Sequence, residues 1–171
     1  MDKWLPRLHA LVIGPGLGRD HQVLSNVEAL IKNLRQREIK IPLVVDADGL
    51  YLITEKPELI KNYQHCILTP NAVEFERLYD KLASSKLDDP HRLPKDSKNL
   101  ADQLHVNIFR KGRIDEFCSP TTINTLRCEV NGSPRRCGGQ GDLLAGTLAI
   151  CYYWTLRNQA RTQMRDRKSV V

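Results

Sequence analysis

The sequence predicts an α/β fold built on a mostly parallel sheet with helices on both faces, and two observations carry that prediction. Short apolar runs that stop abruptly at Gly, Asp or Asn alternate with stretches whose apolar residues recur at three- and four-residue steps. The unusual residues (the glycines at 14–18, Asp46 and Asp48, Asn71, Lys111) all fall just after the apolar runs. In open parallel sheets those carboxyl ends form one rim, where ligands bind.

The elements follow in order. Leu8 to Ile13 is a buried strand halted by Gly14-Pro15-Gly16-Leu17-Gly18. Asp20 caps a helix whose apolar face is Val23, Val27, Leu30, Ile31 and Leu34. Leu43-Val44-Val45 is the second strand, ending at Asp46-Ala47-Asp48-Gly49, and a short helical piece spans Pro57 to Tyr63. Cys66-Ile67-Leu68 is the third strand, ending at Thr69-Pro70-Asn71. A helix over Ala72 to Leu82 follows, with Glu74 and Glu76 near its positive end. Polar residues 84–99, with two prolines, are expected to loop over the surface. Val106 to Phe109 is a fourth strand running into Lys111-Gly112, and 114–130 holds one or two more strands with a turn near Ser119-Pro120. A glycine-dense loop, Gly132 to Gly141, opens a helix with Leu144, Leu148, Cys151 and Trp154 on one side. Residues 1–156 form the expected domain, and 157–171 a frayed basic tail.

Composition excludes several classes. At 171 residues, 41% hydrophobic and 27% charged, the chain can bury a core and is not of disordered type. No apolar run nears the roughly 20 residues a membrane-spanning helix needs. Four of the six net positive charges lie from Arg157 onward, unaccompanied by alternating aromatics, so a nucleic-acid partner is not expected. Five scattered cysteines with no Cys-x-x-Cys pair argue for a reduced, intracellular compartment without structural zinc or disulfides. The five histidines show no metal-ligand spacing.

Gly139-Gln140-Gly141-Asp142 carries the most chemistry. Glycines at a helix start let an anion approach bare N–H groups with the helix dipole behind them. A carboxylate in that first turn can take a proton from a hydroxyl while the amides hold charge on a transferring phosphoryl group. The same residues would also suit a plain turn with an acid serving the dipole. No Lys-Ser or Lys-Thr follows, so it is not a Walker loop, and Arg19 stands where a dinucleotide fingerprint would need its third glycine. Asp46-x-Asp48 could hold magnesium, although Asp and Gly at strand-to-helix turns ordinarily serve the backbone. Lys111-Gly112, Arg135 and Arg136 could place cations near phosphate.

Taken together, Val12 to Asp20, Val44 to Leu50, Leu68 to Phe75 and Arg135 to Asp142 closely resemble the corresponding motifs of the ATP-dependent NAD(P)H-hydrate dehydratases, from about residue 3 to residue 150. That family is ribokinase-like. The resemblance implies a three-layer α/β/α fold, incomplete here at both ends because family members begin earlier and continue with further covering helices. A fragment or shortened isoform, poorly stable or weakly active alone, is therefore expected. The implied reaction returns hydrated NADH or NADPH to the intact dinucleotide while ATP becomes ADP and phosphate. In the family pattern Asp142 is the base, and Gly139, Gln140 and Gly141 form the anion hole. ATP contacts come from Lys111, Gly112, Arg113, Ile114 and Asp115, and from Gly132, Ser133, Pro134, Arg135, Arg136, Cys137 and Gly138 through Gly141. The hydrated dinucleotide meets Gly18, Asn71, Ala72, Val73, Glu74, Phe75, Glu76, Arg77 and Asp142. Mg2+ is expected to accompany ATP as its counter-ion, with no protein ligand assigned. Small molecules are the expected partners, with a homo-oligomer left open and a cytoplasmic location, or a mitochondrial one for a longer form.

Three other readings fit parts of the pattern. A small-molecule kinase of the same fold would also use Gly-Asp at a helix start. A phosphatase of the haloacid dehalogenase type could use Asp46-x-Asp48-Gly49. An inactive fragment could bind nucleotide or a full-length partner.

Overall fold

The computed structural model describes residues 4–37, 40–84, 95–133, 135 and 137–168. Six strands form one sheet in the order β1 (Leu11–Ile13), β2 (Leu43–Val45), β3 (Cys66–Leu68), β4 (Asn107–Arg110), β5 (Asp115–Cys118) and β6 (Leu126–Cys128). The first four are parallel. Val12 pairs with Val44, Val44 with Ile67, and Ile67 with Asn107. The segment 114–130 is an antiparallel hairpin on the β4 edge, with Phe109 opposite Phe117.

One face of the sheet carries α1 (His21–Gln36), α2 (Ala47–Glu55), α3 (Ala72–Ser84) and α4 (Ser97–Leu104). Their apolar stripes, including Ile31, Leu34, Ile53 and Leu78, are fully buried against Leu43, Val45 and Leu68. Each such side chain contributes about 1.5–3 kcal/mol relative to exposure. The other face is covered by α5 (Gln140–Lys168), which presses Ala145 and Ala149 on Val44 and Ile67. Small residues there bring α5 close to the sheet. Asn107 Nδ2 donates to the Tyr152 hydroxyl at 3.1 Å, which in turn donates to the Gln64 carbonyl at 3.1 Å, fixing the helix to the sheet at Tyr152. The result is the expected three-layer α/β/α arrangement.

Several expectations are corrected. The first strand begins at Leu11, because Leu5–Arg7 forms a single 3-10 turn. A full helix, α2, occupies 47–55 where a turn was expected, and only Pro57–Leu59 of the next segment coils, as one 3-10 turn. Asp46 starts α2 by accepting the Ala47 amide, and Leu50, Leu52 and Ile53 give it a buried face. Within the loop expected at 84–99, residues 97–99 begin α4, capped by Asp96 accepting the Asn99 amide at 2.7 Å; residues 85–94 lie outside the described ones. On α5 the buried line is Ala145 and Ala149, with Leu148 and Tyr152 partly buried, whereas Cys151 and Trp154 are exposed. Apart from these corrections, α5 runs on through the basic stretch to Lys168.

Glu28 ties α1 to the end of α2. It pairs with Lys32 and Lys56 at 2.6 Å each, and these two bonds lower its carboxyl from 4.5 to about 2. A depressed carboxylate supports the fold above its unfolded value and loses that support as pH falls through its folded value. Glu28→Gln should therefore flatten the loss of melting temperature between pH 4.5 and about 2, as followed by circular dichroism.

Candidate active site

The rim at the carboxyl ends of β2, β3 and β4 is assembled by one local cap and two contacts between segments far apart in the chain. Gly14 turns the chain out of β1 beside the β2–α2 junction, where the Asp46 amide donates to the Ile13 carbonyl at 3.0 Å. Asn71 caps α3 reciprocally: its side chain accepts the Glu74 amide at 3.0 Å, while Glu74 Oε2 accepts the Asn71 amide at 2.9 Å. The Lys111 amide donates to the Pro70 carbonyl at 2.8 Å, drawing the end of β4 against the end of β3.

The same lysine is tied to the next turn of the rim. Its Nζ lies 2.6 Å from Asp46 Oδ1, and Asp46 is only 2% exposed. A Cβ on Gly141 would stand 3.5 Å from Asp46 Oδ2 and 3.6 Å from Lys111 Nζ, so the start of α5 rests directly beside this ion pair. Gly139 precedes α5 with φ +82°, a left-handed conformation that favours glycine, and its carbonyl accepts the Leu143 amide at 3.1 Å as the helix begins. The amides of Gln140, Gly141 and Asp142 belong to the first turn, which has no intrahelical acceptors. Positive potential from these amides and from Lys111 converges on one opening.

That opening is a cleft of about 750 Å³. Asn71, Ala72 and Val73 form one wall; Lys111, Gly112, Arg113 and Asp115 another; Cys137, Gly139, Gln140, Gly141 and Leu144 the third. Asp115 Oδ1 accepts the Gly112 amide at 2.9 Å and shapes the second wall. Asp142 is exposed at the margin rather than part of the wall, with Oδ2 4.0 Å from where a Cβ on Gly139 would lie.

Other residues singled out from the sequence stand elsewhere. Ile114, Gly132, Ser133, Arg135 and Gly138 are exposed outside the cleft wall; the Arg135 amide donates to Ser133 Oγ at 3.3 Å. Pro134 and Arg136 lie outside the described residues. Phe75 is fully buried beneath the Arg110 guanidinium, which sits 4.2 Å from its ring centroid, so its part is to seat α3. Glu76 pairs with Lys95. Gly18 donates its amide to Asp48 Oδ2 at 3.0 Å, leaving open space where a side chain would be. Arg19 Nε takes the other Asp48 oxygen at 2.9 Å. Both Asp48 oxygens are thus engaged and Asp46 is paired with Lys111, so Asp46-x-Asp48 serves the backbone and two cations. Among the described residues no cluster of three or more His, Cys, Asp or Glu side chains could hold a metal ion. No helix among them is long and apolar enough to cross a membrane.

The Asp46–Lys111 contact is the feature the sequence did not reveal, since the partners are 65 positions apart. Its only trace was that both residues directly follow apolar runs.

A mostly parallel sheet in this strand order, with a bare helix terminus opening on its rim, is the fold that solved ribokinase-like proteins share with this chain. A solved ribokinase-like superfamily protein from Enterococcus faecalis superposes with a TM-score of 0.63 at 21% identity, over 85% of this chain and 47% of that one. An ADP/ATP-dependent NAD(P)H-hydrate dehydratase from Bacillus subtilis, co-crystallised with ATP/Mg2+, superposes with a TM-score of 0.53 at 22% identity, over 82% of this chain and 47% of that one. At those identities the likeness shows the fold. In sequence, the family model described as NAD(P)H-hydrate dehydratase matches residues 2–166. The ATP-dependent (S)-NAD(P)H-hydrate dehydratase of Rattus norvegicus is 46% identical over 157 residues, covering 92% of this chain and 45% of the relative. The chain belongs to the NAD(P)H-hydrate dehydratase family, and it spans about half the length of the curated relatives it matches. Membership in this family displaces the haloacid dehalogenase reading of Asp46.

Proposed function

We propose that the chain carries the reaction centre of ATP-dependent NAD(P)H-hydrate repair: hydrated NADH or NADPH loses its ring hydroxyl, and ATP becomes ADP and phosphate. One observation carries the reading. The first-turn amides of α5, the Lys111 ammonium and the capped start of α3 all open on a single cleft.

Hydroxide is a poor leaving group, and ATP supplies the phosphoryl group that makes it a good one. Every other part falls to the protein. Asp142, at the margin beside the anion loop, accepts the proton of the ring hydroxyl. The Gly139, Gln140 and Gly141 amides hold negative charge on the transferring group without having to reorient. Lys111, steadied by Asp46, lends a fixed positive charge. The segment Lys111–Asp115 suits the nucleotide, and Asn71–Val73 the hydrated ring on the facing wall. The donors present fit a triphosphate. They do not form a cage for magnesium, which would arrive with the nucleotide and be held largely by its phosphates.

Incubation with ATP and hydrated NADH should restore absorbance of the reduced nicotinamide, with stoichiometric ADP. ADP formation only with a vitamin precursor or sugar would favour the small-molecule kinase instead. Gly141→Ala supplies a second check. The added methyl would make ordinary contacts with Asp46 and Lys111, so the melting temperature should hold or rise slightly. The methyl would occupy the approach of a phosphate, and ATP affinity by calorimetry should drop about tenfold or more.

A further inference from the structure

The rim opposite the cleft, at the amino ends of β2 and β3, carries an opening of its own, of about 370 Å³. It shares no residue with the cleft. Arg35 reaches it from the last turn of α1, Lys40 from the segment leading into β2, and Gln64 and His65 from the residues just before β3. Fully buried Leu34 supplies apolar lining.

Positive charge collects here without an acid to balance it. Arg35, Lys40 and His65 line the opening, and no Asp or Glu does. Among the described residues neither Arg35 nor Lys40 forms an ion pair. Arg35 is nonetheless fixed in place. Its Nη1 donates to the carbonyls of Lys61 at 2.8 Å, Leu59 at 2.9 Å and Glu58 at 3.3 Å. Those bonds use one nitrogen of the guanidinium and leave the donors on the other two for a further acceptor. A guanidinium already ordered in this way loses little rotamer freedom when it binds an oxyanion.

His65 is half-buried, and its Nδ1 is buried with no hydrogen-bond partner. Burial first, and then the Lys40 charge, hold the imidazole below its ordinary value, so the field of the ammonium falls on this ring. The neighbouring Tyr63 hydroxyl spends its proton on the Ile41 carbonyl at 3.0 Å, whereas the exposed Asn62 and Gln64 add neutral amide donors. Two fixed cations beside an imidazole, with amides around them, form a donor set that lacks only its acceptor.

We propose that this opening is a second anion site, which takes a phosphate group either free or at the end of a small monoester. Phosphate carries close to two negative charges near neutral pH, which matches the Arg35 and Lys40 pair; a single carboxylate would leave one cation unbalanced. The volume stands near the small end of the range for ligand pockets, so it suits a phosphate with a few carbon atoms rather than a dinucleotide.

Inorganic phosphate is the probe, followed through the histidine ring resonances of the whole chain at constant pH and ionic strength. The His65 resonance, identified by its loss in His65→Gln, should shift saturably with phosphate and stay in place with chloride. Lys40→Gln and Arg35→Gln should each weaken that response about tenfold, the loss of one charge-assisted hydrogen bond. Far-ultraviolet circular dichroism should verify the fold of each variant. Lys40 is exposed, so Lys40→Gln keeps the test decisive even where Arg35→Gln, which also frees three carbonyls, disturbs the fold. Glycerol phosphate in a parallel titration separates the sources: tighter binding than inorganic phosphate assigns the site to a monoester, and equal or weaker binding assigns it to the free ion. Absence of a saturable His65 shift, an equal shift with chloride, or indifference to Lys40→Gln would each overturn the proposal. The repair assay is read at the other rim, so either result stands whatever becomes of that reaction.

Discussion

Asp142→Asn is expected to reduce ATP-dependent recovery of reduced nicotinamide by at least about 10²-fold while ATP still binds, because it removes the proposed base and spares the amides. The isosteric amide keeps the size of the side chain, and Asp142 is exposed, so the fold should tolerate the change. Stopped assays of ADP formation, paired with calorimetric ATP binding, separate the two effects. Unchanged turnover would remove Asp142 from the reaction. Parallel loss of turnover and ATP affinity would instead make it a nucleotide-binding group.

Gly14→Ala should have the largest effect on stability of any single methyl added to the rim. Its φ of +126° lies outside the range L side chains accept, and a Cβ there would fall 1.7 Å from the Asp46 carbonyl oxygen and 2.8 Å from the Gly49 nitrogen. Those atoms and the Asp46 carbonyl carbon, 2.7 Å away, are all backbone, so no side chain can swing aside. Strain of this kind, together with displacement of a packed turn, amounts to about 3 kcal/mol or more. Because the same turn positions Asp46, and through it Lys111, ATP affinity should weaken along with the denaturation midpoint. A variant with the parent's urea midpoint would show that the turn is free to relax, contrary to the close packing described here.

Much of this was legible in the chain itself. Val12, Val44 and Ile67 sit in short apolar runs that could only be buried strands, and they pair in register at the sheet's centre. The Asp20 cap and the Val27–Ile31–Leu34 stripe located α1 for the same local reasons that form it. α2 escaped notice because Asp-Gly is a turn signal; here Gly49 is helical so that the backbone of Ile13 can approach it, a tertiary demand with no local signature. α4 was hidden in a polar segment whose few apolar residues, Leu100, Ala101 and Leu104, acquire meaning only against the sheet. On α5 the large residues drew attention, while close packing selected Ala145 and Ala149.

For the site, the run Gly139 to Asp142 marked a glycine-opened helix start suited to an anion through local chemistry alone: glycines, bare amides and an acid in one turn. What the residues by themselves determined is therefore the set of elements and the chemistry each loop end can offer, since caps, periodicity and glycine conformations act within a few positions. Tertiary structure alone decided which offers meet. It buried Asp46 against Lys111, set Asn71 across from Gly141 and turned Phe75 inward, because such partners are brought together by the packing of strands and helices far apart along the chain.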